Sequence, residues 1–132
     1  MRIARRHWDE MVAHAREDAP NECCGLLRTD GEEVLELIRV ENERHSPYGF
    51  QLGFKALMTA NDWDDEGHGV AVYHSHPRSA PEPSQTDINL AENWPDPLYL
   101  ICSLAEPEAP SVRGFSIRDR RVEEVELDVD ER

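Results

Sequence analysis

Residues 74–87 read HSHPRSAPEPSQTD: two histidines two apart, a proline directly behind them, and a serine three residues before an aspartate. On a β-strand successive side chains point to opposite faces, so His74 and His76 share one face while Ser75 points to the other. Their Cα atoms then lie roughly 6.5–7 Å apart, a span that two imidazoles can close onto one ion with Zn–N bonds of about 2.0–2.1 Å. Pro77 stops the strand, which lets the chain turn back and offer another ligand to the same point. Asp87 is the candidate, because a helix starting at Ser84 puts it in the first turn, where the helix dipole favours an ionised carboxylate. Two histidines and one carboxylate leave a fourth zinc position open for water, the pattern of a catalytic rather than a structural site.

The same residues have plainer readings. Ser84-x-x-Asp87 behind Pro83 is also a capping-box variant, and a His-x-His pair on a strand is equally a solvated edge. Competing zinc signatures are absent: there is no H-E-x-x-H, no H-x-E with P-C-x-x-C, and no Cys-x-x-Cys. A three-histidine site needs one more imidazole. His68 lies too close along the same strand, His45 is a loop residue, and His7 and His14 sit on the first helix, so all four read as surface residues.

The elements that would position this stretch follow from hydrophobic spacing. Trp8, Met11, Val12 and Ala15 recur at helical intervals over 5–18, and Pro20 closes that helix. Apolar stretches on both sides of Thr29-Asp30-Gly31 predict a hairpin with strands near 22–28 and 33–41. The segment 42–52 reads as a loop entering a short extended piece. A second helix is expected from Phe54 to about Asp65, with Phe54, Leu57, Met58 and Asn61 on one face. GVAVYHSH is a strand, 77–83 a proline-rich loop, and 84–93 a helix ended by Pro95 and Pro97. PLYLICSLA, VRGFSIRD and RRVEEVELDV complete two or three strands, the last polar enough to be an edge. At 132 residues and 39% hydrophobic content the chain predicts one α/β (α+β layered) domain over 1–132.

With those elements in view, the sequence resembles the JAMM (MPN+) zinc metalloproteases. His74-x-His76-Pro77, six residues, Ser84, two residues, Asp87 has the spacing of that family's signature, and Pro20-Asn21-Glu22-Cys23-Cys24-Gly25-Leu26-Leu27 is similar to its upstream glutamate strand. The resemblance implies a mixed, mostly antiparallel sheet flanked by helices, cytidine deaminase-like. It implies Zn2+ held by His74, His76 and Asp87, with a bound water whose pKa falls to about 7. It makes Glu22 the base that takes the water's proton and returns it to the leaving amine, although among 28 acidic residues Glu22 alone reads as an ordinary surface glutamate. Ser84 would hydrogen-bond the oxyanion or position the water.

The branch follows from length. Between Asp87 and the next strand stand only a short helix and Pro95-Asp96-Pro97, with no room for the insertion by which eukaryotic relatives grip ubiquitin. The opening and the short chain look more like the prokaryotic Mec-like peptidases, which implies a small ubiquitin-like or sulfur-carrier protein as substrate, cleaved after its C-terminal glycines. Two alternatives are a RadC-like protein and a metal-free MPN-type interaction module. The first usually carries an additional helical region, and the second typically loses ligands that are all present here.

Charge narrows the partners. Twenty-eight acidic residues against 14 basic ones give −14, a surface that repels nucleic acid phosphates. The longest strongly apolar run, LYLIC at 98–102, is too short to cross a bilayer, and MRIARRHWDEM has no signal core. A cytoplasmic protein without membrane or nucleic-acid partners is therefore expected. The exposed-looking final strand leaves a homodimer open. Cys23 and Cys24 are adjacent and Cys102 lies in an apolar run, which predicts reduced, packed thiols.

Overall fold

The computed structural model describes residues 1–94 and 96–131. Among the described residues eleven elements follow one another: β1 (Arg2–Ala4), α1 (Arg5–Asp18), β2 (Cys24–Asp30), β3 (Glu33–Val40), α2 (Phe54–Asp65), β4 (Gly69–His76), α3 (Gln85–Ala91), β5 (Leu98–Ser103), β6 (Ser111–Arg118), β7 (Arg121–Val125) and β8 (Asp128–Asp130). The strands make one mixed sheet in the order β7-β6-β5-β4-β2-β3-β1-β8. β4 lies at its middle, antiparallel to β2 and parallel to β5. Each fully paired neighbour removes backbone freedom from the strand that carries both histidines.

The final polar segment was expected to form one edge; it forms both. β7 closes one side of the sheet and β8 the other, with only Glu126 and Leu127 between them. In a flat sheet of eight strands the two edges would be roughly 34 Å apart at about 4.8 Å per strand. Three residues of chain from Val125 to Asp128 reach at most about 10 Å. The sheet must therefore curl until its edges approach. β1, which hydrophobic spacing does not announce, then pairs parallel with β8 through Arg2–Asp128, Ile3–Val129 and Ala4–Asp130.

Strand alternation divides the core. Ala71 and Tyr73 of β4 face α1, where Met11, Val12 and Ala15 pack with Cys23, Leu27 and Leu100. Val72 faces the other way and packs with Cys24, Leu26, Phe50, Ala56, Ala60, Trp63 and Ala91, the side of α2 and α3. Gly25 serves the first layer, because a Cβ at that position would collide with the Tyr73 ring. Two expectations need correction here. The α2 residues turned inward are Ala56, Ala60 and Trp63, while Phe54, Leu57 and Met58 are 78%, 45% and 50% exposed; small residues and one tryptophan fit the close approach of helix to sheet. His14 is buried, not a surface residue, and its Nδ1 lies 2.7 Å from the Tyr73 hydroxyl with Asp18 3.3 Å from its Nε2. Pro95, expected to help close α3, lies outside the described residues. Among the described residues no helix is long and apolar enough to cross a membrane.

Candidate active site

His74 and His76 occupy the last turn of the pleat in β4, on the face of Val72, and both are buried. Pro77 ends the strand, and the following loop brings the chain back to Ser84, the N-cap of α3. The capping box is real: the Ser84 hydroxyl oxygen accepts from the Asp87 amide at 3.1 Å, and the Ser84 amide donates to Asp87 Oδ2 at 2.9 Å. Capping thus fixes the Asp87 carboxylate, and that same Oδ2 lies 3.1 Å from Nε2 of each histidine.

The two Nε2 atoms are 3.2 Å apart. Three donor atoms thus form a nearly equilateral triangle with edges of 3.1, 3.1 and 3.2 Å. A tetrahedral zinc with bonds of about 2.0–2.2 Å requires donor separations of about 3.3–3.5 Å, so the cluster matches one face of such a tetrahedron within a few tenths of an ångström. The tautomer of His76 also suits a ligand. His76 Nδ1 lies 2.8 Å from the Ala80 carbonyl, so it carries the proton and donates, leaving Nε2 as a lone-pair ligand. Burial alone would push the Asp87 carboxyl up, but His74, His76 and the Ser84 amide more than offset it and hold the carboxyl well below the usual range. Burial pushes the His76 imidazole down, and the Asp87 and Ala80 oxygens raise it above its ordinary value. The residues fit a divalent ion.

Glu22 lies two residues ahead of β2, not on a strand as expected, yet sheet register still aims it. Cys24 pairs with His74 across β2 and β4; two steps outward along antiparallel chains, Glu22 falls opposite His76 on the same face. Its side chain is 5% exposed, and Oε1 is buried without a hydrogen-bond partner. Burial, then the Asp87 charge, push the carboxyl up to about 8 against the opposing pull of His76 and Arg44. A buried carboxyl with an unpartnered oxygen close enough to feel the charges of Asp87 and His76 is the kind of group that can exchange a proton.

Several residues that hold this arrangement were not legible beforehand. Phe50 stacks on His74, ring centroids 4.5 Å apart and planes 22° from parallel. Asn42 is buried, donates to the carbonyls of Glu22 and Gly49, and accepts from the amides of Arg44 and Gln51, each at 3.0 Å. The Ser103 hydroxyl donates to the Ser79 carbonyl at 2.6 Å and tethers the loop that carries Ala80. For Asn42, the cue available in the sequence was an asparagine opening a loop rich in turn residues; Phe50 carried none. Cys24 lies on the histidine face and Cys23 on the opposite one, both free and packed, with thiols that burial pushes up to about 12. His7, His14, His45 and His68 take no part in the triangle.

Comparison with known proteins places the fold in a family. The family model of prokaryotic homologs of the JAB domain matches residues 4–118. A CysO-cysteine peptidase of Mycobacterium tuberculosis is 35% identical over 125 residues, covering 90% of this chain and 84% of that protein. A desampylase of Haloferax volcanii is 37% identical over 109 residues, covering 72% of this chain and 74% of that protein. The solution structure of protein DSY2949 from Desulfitobacterium hafniense superposes with a TM-score of 0.84 at 37% identity, over 100% of this chain and 94% of that one. Motif, sheet and relatives converge: the chain belongs to the prokaryotic JAB-domain branch of the JAMM/MPN family.

Proposed function

We propose that the protein is a zinc metallopeptidase that hydrolyses the amide bond following the C-terminal glycines of a small ubiquitin-like or sulfur-carrier protein. The donor triangle of His74, His76 and Asp87, sized for one tetrahedral ion, is the observation that carries this reading. The names of the two relatives support a peptidase that acts on small protein modifiers.

When bound, zinc supplies Lewis acidity and lowers the pKa of a water from about 15.7 to about 7. The rest of the chemistry belongs to the chain. The charge of a bound divalent ion would favour the ionised form of Glu22, whose carboxylate then accepts a proton from the attacking water and later delivers it to the departing nitrogen. Its partner-free Oε1 is the atom available for this exchange. The Ser84 hydroxyl oxygen is engaged as an acceptor by Asp87, which leaves its O–H to donate to the substrate carbonyl oxygen as charge develops there. The Ala80 carbonyl and the Phe50 ring hold the two imidazoles in orientation.

The test is Glu22→Gln, which removes the proton carrier and no metal ligand. Zinc content should stay at the wild-type level while cleavage of a Gly-Gly-linked carrier substrate falls by at least about 1000-fold. Cleavage at the wild-type rate would contradict the assignment of Glu22.

A further inference from the structure

Of the two imidazoles in the donor triangle, His76 alone has an outer hydrogen bond. His74 Nδ1 is buried without a partner and its ring rests on Phe50, whereas His76 Nδ1 donates to the Ala80 carbonyl at 2.8 Å. That carbonyl belongs to the loop 77–83, which holds no helix or strand. A histidine that is to bind metal through Nε2, and whose tautomer depends on one loop carbonyl, needs that carbonyl held still.

The loop has little means of holding itself. Pro77, Pro81 and Pro83 bring no N–H, and the backbone bond inside it runs from the Glu82 amide to that same Ala80 carbonyl at 2.8 Å. Besides His76, two polar contacts among the described residues tie the loop to the sheet. Arg113 of β6 reaches Glu82 at 3.4 Å, a contact near the surface that solvent screens. Ser103 of β5 is only 2% exposed and donates to the Ser79 carbonyl at 2.6 Å.

Register explains why Ser103 is there. It pairs with His76 across the parallel strands β4 and β5, and both strands end at that pair. The Leu104 amide donates to the His76 carbonyl at 3.0 Å, and the Ala105 amide to Ser103 Oγ at 3.1 Å. With its oxygen engaged in this way, the hydroxyl directs its hydrogen to Ser79. Two adjacent loop carbonyls are thus taken, that of Ser79 by the sheet and that of Ala80 by the imidazole. We propose that Ser103 is a positioning residue for the metal: through Ser79 it holds the Ala80 carbonyl where that carbonyl fixes the tautomer and tilt of His76, and so sets how tightly the protein grips zinc. This rests on the metal reading given above.

The test is zinc affinity, read by competition with a chelating dye on metal-stripped protein, which needs no substrate. Ser103→Ala should bind zinc at least about tenfold more weakly than the wild type, and Ser103→Thr, which keeps the hydroxyl, should recover most of that loss. Arg113→Met cuts the other tie and should bind zinc as the wild type does. The His76 ring gives a second readout by nuclear magnetic resonance of zinc-loaded protein. Its Nδ1 proton should exchange with water at least about tenfold faster in Ser103→Ala, while the backbone amide of Val72 in β4 exchanges as before. Wild-type affinity in Ser103→Ala, an equal loss in Ser103→Thr or in Arg113→Met, or an unchanged Nδ1 proton would overturn the proposal. The two readings fail separately. Wild-type protein that binds no zinc removes the metal site and the role of Ser103 with it; wild-type protein that binds zinc no more tightly than Ser103→Ala removes the role of Ser103 alone.

Discussion

Ser75 and Cys23 exchange two hydrogen bonds: the Cys23 amide donates to Ser75 Oγ at 2.7 Å, and the Ser75 amide donates to the Cys23 carbonyl at 3.0 Å. The serine points away from the two histidines on either side of it, yet it pins the residue next to Glu22. One position between two histidines therefore ties the segment of Glu22, the proposed proton carrier, to β4 from behind. Ser75→Ala leaves a buried amide unpaired, and chemical denaturation should show a loss of about 1–3 kcal/mol. Hydrolysis should fall with zinc content unchanged; full activity in Ser75→Ala would show that Glu22 needs no such tether.

Asn42 makes four hydrogen bonds with one amide group. Truncation to alanine frees four backbone groups in a buried place, and we expect at least about 2 kcal/mol of lost stability by urea denaturation. Asn42→Asp keeps the two acceptor contacts but turns both donor contacts into repulsion between oxygens. It should be no better than alanine, and a wild-type midpoint in either variant would show that the loop is held by other means.

The metal-free protein should lose stability as pH rises. Glu22 holds its proton more tightly in the folded chain, with its carboxyl pushed up to about 8 by burial and by Asp87, than in the unfolded chain, where a glutamate titrates near about 4.3. Its contribution is therefore fully present below about pH 4 and fades as pH climbs through about 8. Thermal midpoints of chelator-treated protein, compared with Glu22→Gln over pH 5 to 9, should converge at low pH and favour the glutamine at high pH. A gap independent of pH would mean that Glu22 ionises normally.

How much of this could be read from the chain depends on the range of the forces involved. The triangle was legible because strand alternation, a helix cap and a proline stop are all local rules, and they place His74, His76, Ser84 and Asp87 within 14 residues. Glu22 needed a long-range register, and only family likeness supplied it; the Cys24–His74 pairing now gives the physical reason. The helix at 54–65 had the expected bounds and the opposite orientation, since its larger apolar residues suggested the buried face whereas tight packing selected Ala56 and Ala60. The two sheet edges made from one polar tail, and β1 with them, depend on curvature that no short window of sequence contains.

The most direct test of the whole account is the zinc content of the purified protein, measured by mass spectrometry of the metal in wild type and in Asp87→Ala. The capping serine and both histidines stay in place in that variant, so only the carboxylate corner of the triangle is lost. The account predicts about one zinc per chain in the wild type and a small fraction of that in Asp87→Ala. Wild-type protein that takes up no zinc, or an Asp87→Ala variant that holds it as firmly as the wild type, would contradict it.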